Sequence, residues 1–314
     1  MRVVDLFCGC GGLSLGFQKA GHDVVAAFDN WDDAIEVYRR NFTHPVIKQD
    51  VSEVEQTAEL VRGYEPDMII GGPPCQDFSS AGKRNEDNGR GDLTVSYARI
   101  IALIQPEWFV MENVDRIVKT SKLTEAVAIF KSCGYGLTQA ILNASRCGVP
   151  QRRKRFIMIG HLGAEDGFMA HILEQEQSAK EMTVADYFGD QIDIQYYYRH
   201  PRSYMRRGVF SIHEPSPTIR GVNRPMPVGY KLHSNDPVKS LEGIRPLTTL
   251  ERSMIQTFPK DFSFYGTKTS MEQMIGNAVP VNLAKFVGLS ILKYIENVNG
   301  THKAIYRKTG VAML

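Results

Sequence analysis

The chain has 314 residues, 43% of them hydrophobic and 23% charged, an ordinary globular composition with room for two domains. Its apolar runs reach only about five residues, so no membrane span is expected. The net charge of +2 says less than its distribution along the chain, and five cysteines, an odd number, argue against a disulfide framework.

In chain order, RVVDLF (2–7) predicts a strand that runs into the glycine cluster GCGG (9–12), and LSLGFQKAG (13–21) a helix stopped at Gly21. DVVAAFD (23–29) reads as a second strand and WDDAIEVYRRNF (31–42) as a helix. VIKQD (46–50) reads as a third strand and SEVEQTAELVRGY (52–64) as a helix. DMII (67–70) is a strand that leads into GGPPCQDFSS (71–80). LTVSYARIIALI (93–104) is a helix, EWFVMEN (107–113) a strand and LTEAVAIFKSCG (123–134) a helix, followed by strands at 135–144 and 155–162. Strands alternating with helices of this length predict an α/β doubly wound, mostly parallel, Rossmann-like sheet.

That rhythm stops near residue 163. Residues 165–245 are proline-rich and irregular, and helical periodicity returns at 247–258 and 276–295. The expected organisation is a catalytic and cofactor-binding domain over 1–163 and a small irregular domain over 164–270, with variable core 165–245. A C-terminal helix over 271–300 returns to the first domain.

The glycines of DLFCGCGG follow a strand and open a helix, so a ligand can approach the backbone closely and an anion is favoured at the helix N-terminus. A bare strand–helix turn would use the same glycines, and the spacing is not the G-x-G-x-x-G dinucleotide fingerprint. Asp29 and Asp50 close the next two strands, where acids can hold ribose hydroxyls and an adenine amino group. The three strand ends line one crevice, which suits an adenosine-bearing cofactor. Cys75 follows the 67–70 strand at the same edge, and Glu112 sits at the end of the neighbouring one. Cys8 and Cys10 lack a second Cys/His pair at zinc spacing, so no metal is expected; both are read as small hydrophobic fillers. In an extended QRRKR (151–155), Gln151, Arg153 and Arg155 share one face.

Together GGPPCQDFS, DLFCGCGG, ENV (112–114), QRRKR, RPLTTLERSMIQTFP (245–259) and GNAVPVNLA (276–284) resemble the C5-cytosine methyltransferases, in order from residue 3 to about 295. The size is similar to that of bacterial restriction–modification enzymes. The resemblance implies methyl transfer from S-adenosylmethionine, leaving S-adenosylhomocysteine, to C5 of a flipped cytosine in duplex DNA through a covalent Cys75–C6 adduct. It assigns Cys75 as nucleophile, Glu112 to N3 and the exocyclic amine, and Arg155, with Arg153 beside it, to O2 and a flanking phosphate. Cofactor contacts carry over to Phe7, Gly9, Gly11, Gly12, Leu13, Asp29, Asn30, Asp50, Val51, Pro74, Leu93 and Asn277. Gln76, Ser79 and Gln151 would meet the DNA.

Between 199 and 224 stand six arginines and one acid, Glu214, after three tyrosines. Arginine to guanine is the commonest specific base contact, so Arg199, Arg202, Arg206, Arg207, Arg220 and Arg224 are expected on DNA, with Thr218 in a Thr-Ile element similar to the family's Thr-Leu. A recognition segment this short suits a site of roughly four to six base pairs. The alternatives are a tRNA cytosine C5-methyltransferase, a non-catalytic DNA-binding relative and a dehydrogenase on the same fold, the last of which leaves Cys75 and QRRKR without a role. A monomer in the bacterial cytoplasm, associated with the nucleoid and serving beside a separate cognate endonuclease, completes the expectation.

Overall fold

The computed structural model describes residues 1–74, 93–203 and 205–309. Its first part alternates as the periodicity predicts: β1 (Arg2–Leu6), α1 (Gly12–Lys19), β2 (Asp23–Asp29), α2 (Asp32–Asn41), β3 (Val46–Lys48), α3 (Val54–Arg62) and β4 (Met68–Gly71). Then come α4 (Leu93–Ile104), β5 (Trp108–Val114), α5 (Ser121–Ser132), β6 (Tyr135–Asn143), the short β7 (Gln151–Arg152) and β8 (Lys154–Leu162). Seven strands form one sheet in the order β3-β2-β1-β4-β5-β8-β6. β1 to β5 are mutually parallel, and β8 is antiparallel to both β5 and β6. Chain order reverses between β1 and β4, so the crevice at their carboxyl ends is where a ligand is expected.

Alternation along each strand decides which helices it meets. Val4, Leu6, Phe109, Met111, Phe156 and Met158 are buried in one cluster with α3, α4 and α5. Val3, Trp108, Val110, Ile157 and Ile159 are buried on the other face with α1 and the C-terminal helix. Glu112 continues the Trp108–Val110 series and Arg155 the Ile157–Ile159 series, so both belong to this second face.

The rest of the chain contains α6 (Ala170–Gln175), α7 (Val184–Phe188), β9 (Tyr196–Tyr198), β10 (Val209–Ser211), β11 (Ser216–Pro217), α8 (Thr249–Ile255), α9 (Lys268–Asn277) and α10 (Val281–Thr309). Its own core joins Val184, Phe188, Tyr197, Phe210, Ile219, Met254, Ile255 and Ile275. Met169 and Leu173, at α6, instead pack in the core of the first body. The expected boundary at 163/164 therefore precedes a helix that packs backward rather than forward. A second difference lies at Gly276–Asn277, where the helical stretch 276–295 is expected to begin. These residues end α9, and the helix restarts at Val281 after Pro280, because proline cannot continue the α9 hydrogen-bond ladder.

The stretch Lys268–Val298 has the length and hydropathy to cross a membrane, a feature that counting unbroken apolar runs does not register. Leu283, Ala284, Val287 and Ile291 are nevertheless buried in the core. Gly16 of α1 lets α10 approach so closely that a Cβ there would lie 2.3 Å from that of Ala284.

Candidate active site and nucleic-acid cleft

At the carboxyl edge of β1, β2 and β4 lies a cavity of about 260 Å³. Phe7, Gly9, Gly12, Leu13, Asp29, Asn30, Asp50, Val51, Pro74, Leu93 and Asn277 line it. Gly11 does not. It holds the left-handed conformation that opens α1, with φ 95°, and a Cβ there would run into Phe42. Gly12 faces the C-terminal segment, where a Cβ would come within 2.3 Å of the Val279 carbonyl oxygen. A side chain at residue 12 would therefore displace that wall of the cavity.

Asp29 has a second role that sequence reading did not find. Its carboxylate accepts from the backbone N–H of Gly9 at 2.7 Å and of Trp31 at 2.9 Å, so it pins the glycine loop to the end of β2. Burial raises its pKa, and those N–H donors hold it back. Asp50 Oδ1 accepts from the N–H and hydroxyl of Ser52, which fixes the turn after β3. Cys8 and Cys10 also line the cavity. Burial pushes both thiols up, Cys10 to about 12, so they present neutral, soft surface.

Trp31, Gln49, Gly72, Met274, Ala278 and Val279 line the cavity without having been anticipated. Trp31 and Gln49 adjoin the predicted strand-end acids, a signal that could have found them. Ala278 and Val279 adjoin the predicted Asn277 within GNAVPVNLA, whereas nothing local marks Met274.

Glu112 reaches the same cavity from β5. Pairing of Gly71 with Met111 brings Gly72 beside Glu112, and Asn113 Nδ2 donates to the Pro73 carbonyl at 2.8 Å. The Gly72–Pro74 segment is thereby fixed next to the carboxylate. Cys75, Gln76 and Ser79 lie outside the described residues.

Arg155 stands opposite Val114 in the β5–β8 register, two residues beyond Glu112, and its Nε is 2.8 Å from Glu112 Oε1. The two side chains are only 13% and 10% exposed. Burial raises the Glu112 pKa, while Arg155 and then Arg153 oppose the rise.

Arg155 also lines a second, larger cleft of about 1220 Å³, and Asn277 lines both spaces. The Glu112–Arg155 pair thus stands between a cofactor-sized cavity and an open basic cleft. The cleft is walled by Arg116, Arg152 and Lys154 from the first body and by Arg199, Arg202, Arg206, Arg207, Thr218 and Arg220 from the second.

The structure separates the predicted basic residues into two groups. Arg202, Arg206 and Arg224 are exposed, with no side-chain bond among the described residues. Arg199 donates to the Thr218 carbonyl at 2.7 Å, Arg207 pairs with Glu214 over the Phe210 ring, and Arg220 donates to the His200 carbonyl. Thr218 Oγ1 donates to the Arg152 carbonyl at 2.9 Å. These four residues shape the wall as well as line it.

Gln151 and Arg153 depart from the expected surface roles. Gln151 is fully buried: its Nε2 donates to Gln256 Oε1 at 2.8 Å, and its Oε1 accepts from the Ile219 N–H at 2.8 Å. Arg153 is 1% exposed and donates to the carbonyls of Ile219, Gly276 and Ala278 at 3.0–3.1 Å. Both are consumed in joining the two bodies, because β7 pairs with β11 directly beside them. Gly276 completes the joint: a Cβ there would meet the Gly221 backbone nitrogen at 2.2 Å.

A glycine-cradled cavity at the switch point of a doubly wound sheet, opening through an acid–guanidinium pair into a basic cleft, is the architecture of a group-transfer enzyme that acts on nucleic acid. The family model for C-5 cytosine-specific DNA methylases matches residues 1–293, and the chain belongs to that family. It is 58% identical over 295 residues to the Type II methyltransferase M.HindV of Haemophilus influenzae, covering 94% of this chain and 97% of that protein. It is 52% identical over 295 residues to the Type II methyltransferase M.HgiDI of Herpetosiphon aurantiacus, covering 94% and 95%. Among solved structures, the S. pombe Dnmt2 methyltransferase superposes with a TM-score of 0.70 at 18% identity, over 95% of this chain and 99% of that one, a likeness of fold. The protein is a DNA (cytosine-5-)-methyltransferase of the restriction–modification type.

Proposed function

We propose that the cavity holds S-adenosylmethionine and that the basic cleft holds duplex DNA with its target cytosine extruded toward Glu112. The observation that carries this reading is the Glu112–Arg155 pair, which lies where the two spaces meet. The donor set suits the cofactor: Gly9 leaves open space for a close backbone approach, Asp29 and Asp50 offer oxygen acceptors, and Phe7, Trp31 and Val51 offer apolar walls. When bound, S-adenosylmethionine supplies an electrophilic methyl carbon.

The side chains then prepare the base. Cytosine C5 is a weak nucleophile. Addition of the Cys75 thiolate at C6 forms an S–C6 bond and gives the ring enamine character at C5. Glu112 delivers or shares a proton at N3 as charge builds there, a task suited to a carboxyl held above its ordinary range. Arg155 holds O2 and a flanking phosphate and keeps Glu112 oriented. Once C5 carries the methyl group, its proton leaves to a base such as water. The S–C6 bond then breaks and the thiolate departs.

Arg202, Arg206 and Arg224, with Gln76 and Ser79, contact the DNA, while Gln151, Arg153 and Thr218 hold the recognition wall in place. The enzyme works as a monomer in the cytoplasm and protects a short site from a separate cognate endonuclease. A test supplies labelled S-adenosylmethionine with duplex DNA and bulk tRNA. Transfer to DNA alone is expected, and transfer to tRNA alone would overturn the reading. DNA carrying 5-fluorocytosine should trap a covalent adduct that Cys75→Ala abolishes.

A further inference from the structure

Met205 presents an apolar side chain where its surroundings are ionic. It is 84% exposed, and among the described residues that line the basic cleft it is the one large hydrophobic side chain left in solvent. Exposed Arg202 and Arg206 flank it on the same wall, and Arg155 lines the same cleft. Phe210, by contrast, is 8% exposed and lies under the Arg207 guanidinium. At 84% exposure Met205 packs little against the described residues, and solvent exposure of a methionine is unfavourable.

We propose that Met205 is a wedge that enters the base stack beside the extruded cytosine. Extrusion leaves an apolar gap in the duplex and costs a few kcal/mol in lost stacking and pairing. An unbranched thioether with several rotatable bonds adapts to such a gap, and apolar side chains, methionine among them, are known to insert between base steps. The neighbouring arginines would hold the two phosphate backbones while Met205 enters between them. Met205 therefore acts as a positioning residue: it stabilises the extruded state and touches neither cofactor nor reacting atoms. This inference rests on the proposed extrusion of the base.

The test compares wild type with Met205→Ala and Met205→Leu on two duplexes that contain the site mapped from DNA the wild type has methylated. One duplex is fully paired; in the other the target cytosine is mispaired and already loosely held. With 2-aminopurine in place of the target base, wild type should show the fluorescence rise of an unstacked base. Met205→Ala should lose most of that rise and fall roughly tenfold or more in kcat on the paired duplex. It should stay within about twofold of wild type on the mispaired one. Leucine should restore both signals, since it keeps the apolar volume. An alanine variant equal to wild type on paired DNA, or one equally impaired on both duplexes, would overturn the wedge. Wild type that methylates no duplex would instead overturn the functional reading beneath it.

Discussion

Arg155 Nε lies 2.8 Å from Glu112 Oε1, with both side chains close to buried, and this contact joins the end of β5 to the start of β8 at the boundary of two cavities. Antiparallel pairing places the two residues on one face, and burial makes their interaction strong. Burial raises the pKa of this carboxylate, and the contact with Arg155 holds it in one orientation.

Glu112 can be tested through the pH dependence of catalysis. Burial raises its folded pKa above the ordinary 4.5, so the protonated form persists to higher pH than in a free carboxyl. If that form serves N3, kcat/KM loses one limb as pH rises through the raised value. Glu112→Gln should lower kcat by about 10²–10⁴ and abolish that limb, while cofactor binding by calorimetry stays near wild type. A glutamine variant that keeps the limb would assign it to another group.

Arg153 tests the joint between the bodies. Arg153→Met should leave the carbonyls of Ile219 and Gly276 without their Arg153 donor, at about 1–3 kcal/mol for each orphaned group, while the Ala278 carbonyl keeps its bond from Gln256 Nε2. The melting temperature should fall by several degrees, and DNA affinity should fall with it. A variant that loses DNA binding at unchanged melting temperature would place Arg153 on the DNA instead.

The two classes of arginine predict different salt behaviour. Arg202→Ala and Arg206→Ala together should weaken binding across all sequences and reduce the slope of log affinity against log salt by roughly 2. Arg207→Ala removes the partner of Glu214 and the cover of Phe210. It should therefore change the protection of residues 207–214 in hydrogen exchange. Equal salt slopes for wild type and the double variant would show that these two arginines do not face phosphates.

Asp5 gives a stability prediction with a definite sign. It is fully buried, with Oδ2 accepting from Ser14 Oγ at 2.5 Å and Oδ1 without a partner among the described residues, and burial raises its pKa to about 8 from an ordinary 3.8. The unfolded chain releases the proton near pH 4, whereas the folded chain keeps it until about pH 8. The stability associated with this group is therefore complete below pH 4 and is lost as pH rises through about 8. Asp5→Asn keeps an acceptor for Ser14 and removes the ionisation. It should flatten the decline in denaturant midpoint over that interval, and an unchanged decline would place the titration elsewhere.

Much of the fold was legible because its signals are local. Alternating apolar runs and glycine or acid punctuation located every strand of the main sheet to within two residues, including β2 at 23–29, and helical spacing located α4 at 93–104. The cavity-lining residues were legible for the same reason: strand ends in a doubly wound sheet converge on one edge, so Phe7, Asp29 and Asp50 met without knowledge of any distance. QRRKR was read correctly as two faces, but on its inner face Gln151 and Arg153 meet the protein itself, while Arg155 lines the cleft.

Sequence alone thus determined the fold class, the crevice and the chemical types gathered there, since each depends on periods and turns a few residues long. The tertiary structure decided the duties of the polar groups. Arg153 binds carbonyls 66 and 123 residues away, and Gln151 meets Gln256 across 105 residues. Only the packed chain shows that these groups are buried and used up inside the protein while Arg202, Arg206 and Met205 remain in solvent. The reason is physical: a buried donor or acceptor takes whichever partner the fold brings within about 3 Å, and no short-range pattern in the sequence records that choice.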